Sequence, residues 1–371
     1  MASVNDIIGN YRLLEEIDCG TFGCVYRSEH AYLPNRPFYA LKLLIGTHLN
    51  SQKEKDNFMQ EARLLAMLEH PHILPIIDAG FHGRFPYMVT EYAPNSSLRK
   101  RLQKQPEQPL PEKEALTILS QIGMALQHAH EQNVIHRDLK PENILFNTKG
   151  DALLADFGIA TILDSSSVRQ GTIIGTPAYM APEQFRGTAS KEGDQYALGC
   201  IAYELFTGQK PFKAPDYISM ACKHLEEIPI PPRKLNPNLP EHIEQAILKA
   251  MAKDRKERFA SVEEFVTALH KTKEQWFDEG DALYEAECYK EALLAYDHAI
   301  RLGLNYPKLH CRKGTSLRKL ARYNEALLAY DCPVPDIINT ATRRGIGSHG
   351  QQREELYGRA QTQGGAGKHA A

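Results

Sequence analysis

Between residues 11 and 92 the chain alternates short β-branched and aromatic runs with Gly, Pro and Asn, the pattern of strands and turns. The predicted strands are Tyr11 to Ile17, Val25 to Glu29, Phe38 to Leu44 and Tyr87 to Tyr92. Among them, Lys53 to Glu69 sets Phe58, Glu61, Leu65 and Leu68 at helical spacing. From Glu112 the period is helical: Leu116, Leu119, Ile122, Leu126 and Ala129 form one apolar stripe. Asp194 to Thr207 is apolar nearly all round, as expected of a helix buried on every side. Ile228 to Pro240, with prolines at 229, 231, 232, 237 and 240, reads as a loop, and a helical pattern resumes from Glu241 to about Lys271.

A different pattern begins at Trp276. The segment Glu291 to Asp297 (EALLAYD) recurs unchanged as Glu325 to Asp331, 34 residues on, and Gly280 and Gly314 share that offset. This is the tetratricopeptide (TPR) period, and Trp276, Gly280, Ala292, Tyr296 and Ala299 fall where that repeat keeps its packing positions. About one and a half repeats are recognisable, fewer than the roughly three a stable stack needs. After Asp331 the pattern gives way to a Gly, Gln and Arg-rich tail expected to be disordered, as a truncated or frame-shifted array would produce.

Composition narrows the classes. At roughly 100 to 200 residues per domain, 371 residues suggest two or three domains. The 42% hydrophobic and 24% charged content is that of a soluble globular protein, and a net charge of −2 gives no field to gather nucleic acid. Seven scattered cysteines without a CxxC pair point to a reducing compartment rather than to zinc or redox work. The longest apolar run, Tyr196 to Phe206, is too short to span a membrane and carries Glu204. No signal-peptide pattern opens the chain, so a cytoplasmic location is expected.

The chemistry concentrates in His136-Arg137-Asp138-Leu139-Lys140-Pro141-Glu142-Asn143, followed thirteen residues later by Asp156-Phe157-Gly158. The stretch supplies a carboxylate to accept a hydroxyl proton, oxygen donors for metal ions, and a lysine for phosphate charge. Phosphoryl transfer needs little more than positioning and charge neutralisation. Ile17 to Val25 adds Gly20 and Gly23 between two strands, Ala40-Leu41-Lys42 lies on a strand, and Ala181-Pro182-Glu183 follows a Ser/Thr-rich segment from Thr161 to Thr176.

Together, residues 10 to 271 resemble the bacterial eukaryotic-like Ser/Thr protein kinases. The resemblance implies an α+β, bilobal fold with a small β-rich lobe and a large helical lobe. It makes residues 10–271 the kinase domain, while the 34-residue recurrence makes 272–331 an all-α TPR-like segment and the loss of pattern makes 332–371 the tail. It implies that Asp138 is the catalytic base, that Lys140 assists it, and that Lys42 meets the ATP phosphates while paired with Glu61. Asn143 and Asp156 would bind Mg2+, for which Mn2+ can substitute. Ile17, Gly20, Gly23, Val25, Ala40 and the backbone of Glu91 to Ala93 would hold the nucleotide, with Thr90 as gatekeeper. One departure stands out: the first glycine of the family's loop is Asp18, which puts ATP affinity in question.

The same resemblance makes Thr172, and after it Ser167, the candidate phosphosites facing Arg137, and places Thr176 against Asp138 and Lys140. Glu183 and Arg258 would form a buried ion pair. Asp194 would brace the catalytic loop, with helix capping as its structural alternative. His136 is assigned packing and hydrogen bonding only. The implied activity is transfer of the ATP γ-phosphoryl to protein Ser or Thr, with autophosphorylation through a transient homodimer and a protein partner for the repeats. The competing readings are a pseudokinase acting as an ATP-binding scaffold, supported by Asp18, and a small-molecule kinase, opposed by Lys140, Thr176 and the Ala181-Pro182-Glu183 set.

Overall fold

The computed structural model describes residues 2–20, 23–33, 35–45, 49, 51–157 and 177–330. It divides into two compact units, Met1–His270 and Lys271–Ala371. Gly158, Ser167, Thr172, Thr176 and the tail from Asp331 fall outside the described residues.

In the first unit, strands β1 (Ile7–Ile8), β2 (Tyr11–Gly20), β3 (Gly23–His30), β4 (Tyr39–Leu43), β5 (Ile76–His82) and β6 (Phe85–Glu91) form one antiparallel sheet in the order β1-β2-β3-β4-β6-β5. Alternation sorts its faces. Cys24, Tyr26, Leu41, Leu43, Tyr87 and Val89 pack into a core. Val25, Ala40, Lys42 and Thr90 are partly exposed on the other face. Helix α1 (Gln52–Ala66) starts at a capping box between Ser51 and Glu54 and buries Phe58, Ala62 and Leu65; it ends before the expected Glu69. Strand β5 was not expected, because Asp78 and Gly80 break its apolar pattern. Its pairing with β6, across an irregularity at Asp78, is what makes it a strand.

The helical lobe is built on α2 (Leu98–Lys104), α3 (Glu112–Glu131) and α4 (Lys191–Thr207). Every residue of α4 from Gly193 to Thr207 is buried. Helices α5 (Tyr217–Glu226), α6 (Pro232–Leu235), α7 (Glu241–Ala250) and α8 (Val262–Leu269) complete it. Two expectations are corrected. The proline-rich segment contains the single-turn α6, since proline suits a first helical turn. The helical pattern expected from Glu241 to about Lys271 is divided between two helices, because the side chains of Asp254 and Ser261 cap a 3-10 turn and α8 respectively.

A third correction concerns cysteine. Cys19 and Cys24, five residues apart and outside any CxxC spacing, form a disulfide, because the β2–β3 register places them opposite each other.

The second unit contains α9 (Lys273–Glu285), α10 (Tyr289–Arg301), α11 (Pro307–Lys319) and α12 (Tyr323–Tyr330). These are two helix pairs offset by 34 residues, more than the one and a half repeats legible in the sequence. Gly280 packs under Tyr296, and Gly314 packs under Tyr330, so the same contact is made twice.

Candidate active site

A short hairpin, β7 (Ile144–Phe146) with β8 (Ala152–Leu154), brings two chemical segments together. Asn143 precedes β7, Asp156 follows β8, and the Ala155 amide donates to the Asn143 carbonyl at 2.9 Å. Arg137 (φ 70°) and Asp156 (φ 61°) both adopt left-handed backbone, a conformation that costs roughly 1–3 kcal/mol in a non-glycine residue and persists only when its surroundings hold it. At Arg137 the hold is visible. Asp194 accepts from the amides of His136 at 2.8 Å and Arg137 at 2.9 Å, and His130 Nε2 lies 2.8 Å from the same carboxylate. The capping alternative for Asp194 is corrected: Ser190 caps α4, which leaves the Asp194 oxygens to the loop.

His136 is buried, with Nε2 2.9 Å from the Ala155 carbonyl oxygen and its ring against Phe157. Lys140 Nζ donates to Asp138 Oδ2 at 2.6 Å, and Asn143 Nδ2 donates to the Asp138 carbonyl at 2.8 Å.

The sheet contributes the opposite wall. Val25 pairs with Lys42, and Lys42 with Met88; Ala40 pairs with Thr90. Cross-strand partners share a face, so Val25, Ala40, Lys42 and Thr90 lie together. Asp18 pairs with Val25 and joins that face. Gly20 and Gly23 pair at the hairpin end, and Ile17, in the irregularity between Glu16 and Asp18, is 36% exposed. The Glu91 amide donates to the Pro75 carbonyl and the Tyr92 amide to the Phe38 carbonyl, each at 3.3 Å.

Lys42 Nζ donates to Asp156 Oδ2 at 2.6 Å. Burial would push the Asp156 carboxyl up, but the Lys42 ammonium, with help from His136 and Lys140, holds it below its ordinary value. Among the described residues no hydrogen bond or ion pair joins Lys42 to Glu61, a pair expected to form and break as α1 moves; Lys42 is taken by the carboxylate of Asp156.

The residues carry the right donors for a nucleotide and a hard cation. Asn143 uses its amide nitrogen on the Asp138 carbonyl, which leaves the side-chain oxygen as a donor, and Asp156 adds a carboxylate. The family described as "Protein kinase domain" matches residues 11–277. The chain belongs to the protein kinase family. Its kinase domain is of the bacterial Ser/Thr type. It is 37% identical over 260 residues, 70% of this chain, to the serine/threonine-protein kinase PrkC of Bacillus subtilis. It is 38% identical over 259 residues to a probable serine/threonine-protein kinase PknB of Lactococcus lactis. The chain spans about two fifths of the length of these relatives, 40% and 41% respectively. Among solved structures, the kinase domain of Mycobacterium tuberculosis PknI matches 72% of this chain and 98% of its own, at 27% identity and a TM-score of 0.58.

Sequence reasoning missed a network in the kinase domain. Arg99 Nη1 donates to Glu204 at 2.8 Å, Arg99 Nε donates to Glu142 at 2.8 Å, and both Arg99 and Glu204 bond the Tyr179 hydroxyl. This ties α2, the catalytic loop, the segment before Ala181-Pro182-Glu183, and α4 to one another. The available signal was Glu204, a carboxylate inside an apolar run, which needs a partner when buried. Glu183 and Arg258 make a two-pronged pair at 2.7 and 2.9 Å. Burial would raise the Glu183 carboxyl, and Arg258 lowers it below its ordinary value.

Proposed function

We propose that the protein is an ATP-dependent Ser/Thr protein kinase. The observation that carries this reading is the convergence of Lys42, Asp156 and Asn143 beside the Asp138–Lys140 pair, with Lys42 reaching Asp156 at 2.6 Å across 114 residues of sequence. Asp138 takes the proton of the substrate hydroxyl, while Lys140, at 2.6 Å, orients that carboxylate and meets phosphoryl charge. Lys42 turns from Asp156 to the nucleotide phosphates, and α1 brings Glu61 to Lys42. Asn143 and Asp156 would hold Mg2+, which supplies charge neutralisation at the phosphates.

Val25, Ala40 and Thr90 form the apolar side of the adenine slot, with Ile17 beside them. With the Glu91 and Tyr92 amides already used, adenine falls to the Glu91 carbonyl and the Ala93 backbone. Thr172 and Thr176 keep the roles of phosphosite and substrate-side contact, and autophosphorylation between two copies supplies activation. The 34-residue helix pairs are TPR-like and bind a protein partner. A groove of about 680 Å³ on α10 to α12 supports this, as do Leu294 and Leu328, equivalent in the two repeats and 62% and 74% exposed.

The test is transfer from labelled ATP with Mg2+ to a generic protein substrate. Activity that Asp138→Asn abolishes supports the reading, and an Asp138→Asn protein as active as wild type refutes it. One observation favours the scaffold alternative: Asp18 shares the Val25–Lys42 face, where a carboxylate opposes triphosphate binding. Calorimetric ATP affinity of wild type against Asp18→Gly measures that effect.

A further inference from the structure

Strands β2 and β3 bring three ligand-bearing side chains to the face of the sheet opposite Lys42. Cys19 is the direct cross-strand partner of Cys24, and Glu16 is the partner of Tyr26. Cys24 and Tyr26 stand two residues apart on β3 and both pack into the sheet core, so they share that face. In a regular strand, a spacing of three would send Glu16 and Cys19 to opposite faces. The irregularity between Glu16 and Asp18 takes up one extra residue, and Glu16 joins Cys19. Asp18, paired with Val25, is left on the Lys42 side. Tyr26 reports the same placement, since burial first, and then the charge of Glu16, raises the pKa of its hydroxyl above the ordinary value. Among the described residues, Glu16, Cys19 and Cys24 are the only group of three His, Cys, Asp or Glu side chains whose ligand atoms all lie within 4.8 Å of one another.

We propose that, with the Cys19–Cys24 bond reduced, Glu16, Cys19 and Cys24 form a Zn2+ site of two thiolates and one carboxylate, with a fourth position left to solvent. The disulfide is the oxidised form of the same pair. Two thiolates bound at about 2.3 Å to a tetrahedral Zn2+ stand about 3.8 Å apart, a span that cross-strand partners provide. Sulfur donors favour Zn2+ over a hard cation such as Mg2+. Glu16 and Cys19 are exposed and give the ion a way in, while Cys24 is buried and fixes the site to the sheet core. A dithiol opens the disulfide by exchange: it delivers two electrons and two protons, leaves two cysteine thiols, and is itself oxidised to a disulfide. Zn2+ then replaces the two thiol protons, which pass to solvent.

The experiment uses full-length protein reduced with dithiothreitol, freed of reagent under argon, given a slight excess of Zn2+ and desalted. Plasma mass spectrometry counts the metal, and competition with a chromophoric chelator gives the affinity. Reduced wild type is expected to keep about one Zn2+ per chain, and Co2+ in its place to show a thiolate charge-transfer band. Cys19→Ser and Cys24→Ala lose the ion, and Glu16→Gln binds it about tenfold or more weakly. Because Cys24 is buried, circular dichroism checks the fold of Cys24→Ala, and the exposed Cys19→Ser decides if that variant unfolds. A double variant, Cys222→Ser with Cys288→Ser, keeps the ion, which separates the site from the other exposed thiols. Reduced wild type that retains no Zn2+ overturns the proposal. So does Zn2+ held equally well by Cys19→Ser or by Glu16→Gln, or lost in the Cys222 and Cys288 double variant.

Discussion

Lys42 and Asp156 meet at 2.6 Å although 114 residues separate them, and neither Lys42 nor Asp156 is fully buried, at 23% and 35% side-chain exposure. The lysine is held where a carboxylate can be exchanged for phosphate. Lys42→Met is expected to lower phosphoryl transfer by about a hundredfold or more, the scale of losing one electrostatic stabiliser. Because Lys42 holds the Asp156 carboxyl below its ordinary value, Asp156 stays ionised down through the usual carboxylate range. The acid limb of kcat/KM for ATP against pH, which reports the free enzyme, therefore belongs to another group in wild type. In Lys42→Met that support is lost, and Asp156 protonates at higher pH. A profile whose acid limb does not move in the variant contradicts the pairing.

Arg99 links Glu142 of the catalytic loop to Glu204 of α4. Glu204 is buried, so removing its partner leaves an uncompensated charge. Arg99→Met should destabilise the kinase domain by about 3–5 kcal/mol. Urea unfolding measures this, and a loss below about 1 kcal/mol would make the network a surface interaction.

His224 is fully buried, with the Tyr196 hydroxyl 2.9 Å from Nδ1. Burial, then the Lys253 charge, lowers its pKa to about 3 from the ordinary 6.5. A depressed value means that the folded state resists the proton. Stability is therefore greatest above about 6.5 and falls as pH drops through the window down to about 3. Within that window wild type should lose up to about 1.4 kcal/mol per pH unit more than His224→Phe. Parallel stability–pH curves for the two proteins would remove His224 from acid unfolding.

Gly280 sits against the ring of Tyr296, where an added Cβ would lie 2.5 Å from Cε1. Tyr296 is fully buried and its hydroxyl donates to Asp281 at 2.8 Å, so the ring has no way to yield. Alanine gains about 1 kcal/mol in helix propensity, while overpacking costs typically 1–3. Gly280→Ala should therefore lower the melting temperature of the repeat unit, and an increase would show that the ring gives way.

The motif from His136 to Asn143, with Asp156, Lys42 and Glu183, can be read from the chain because phosphoryl transfer needs particular side chains at particular spacings. The alternation in β3 and the 34-residue recurrence are readable too, since residues on one face repeat with the period of the backbone. Side-chain partners are not readable in this way. Lys42 bonding Asp156 rather than Glu61, Ser190 rather than Asp194 capping α4, Arg99 serving Glu204, and Cys19 lying opposite Cys24 all depend on strand register and on which charged groups share a desolvated space. Those distances exist only once the chain has packed. Local sequence governs local periodicity and chemical type, whereas the choice among competing carboxylates is made by burial and by a few ångströms of tertiary placement.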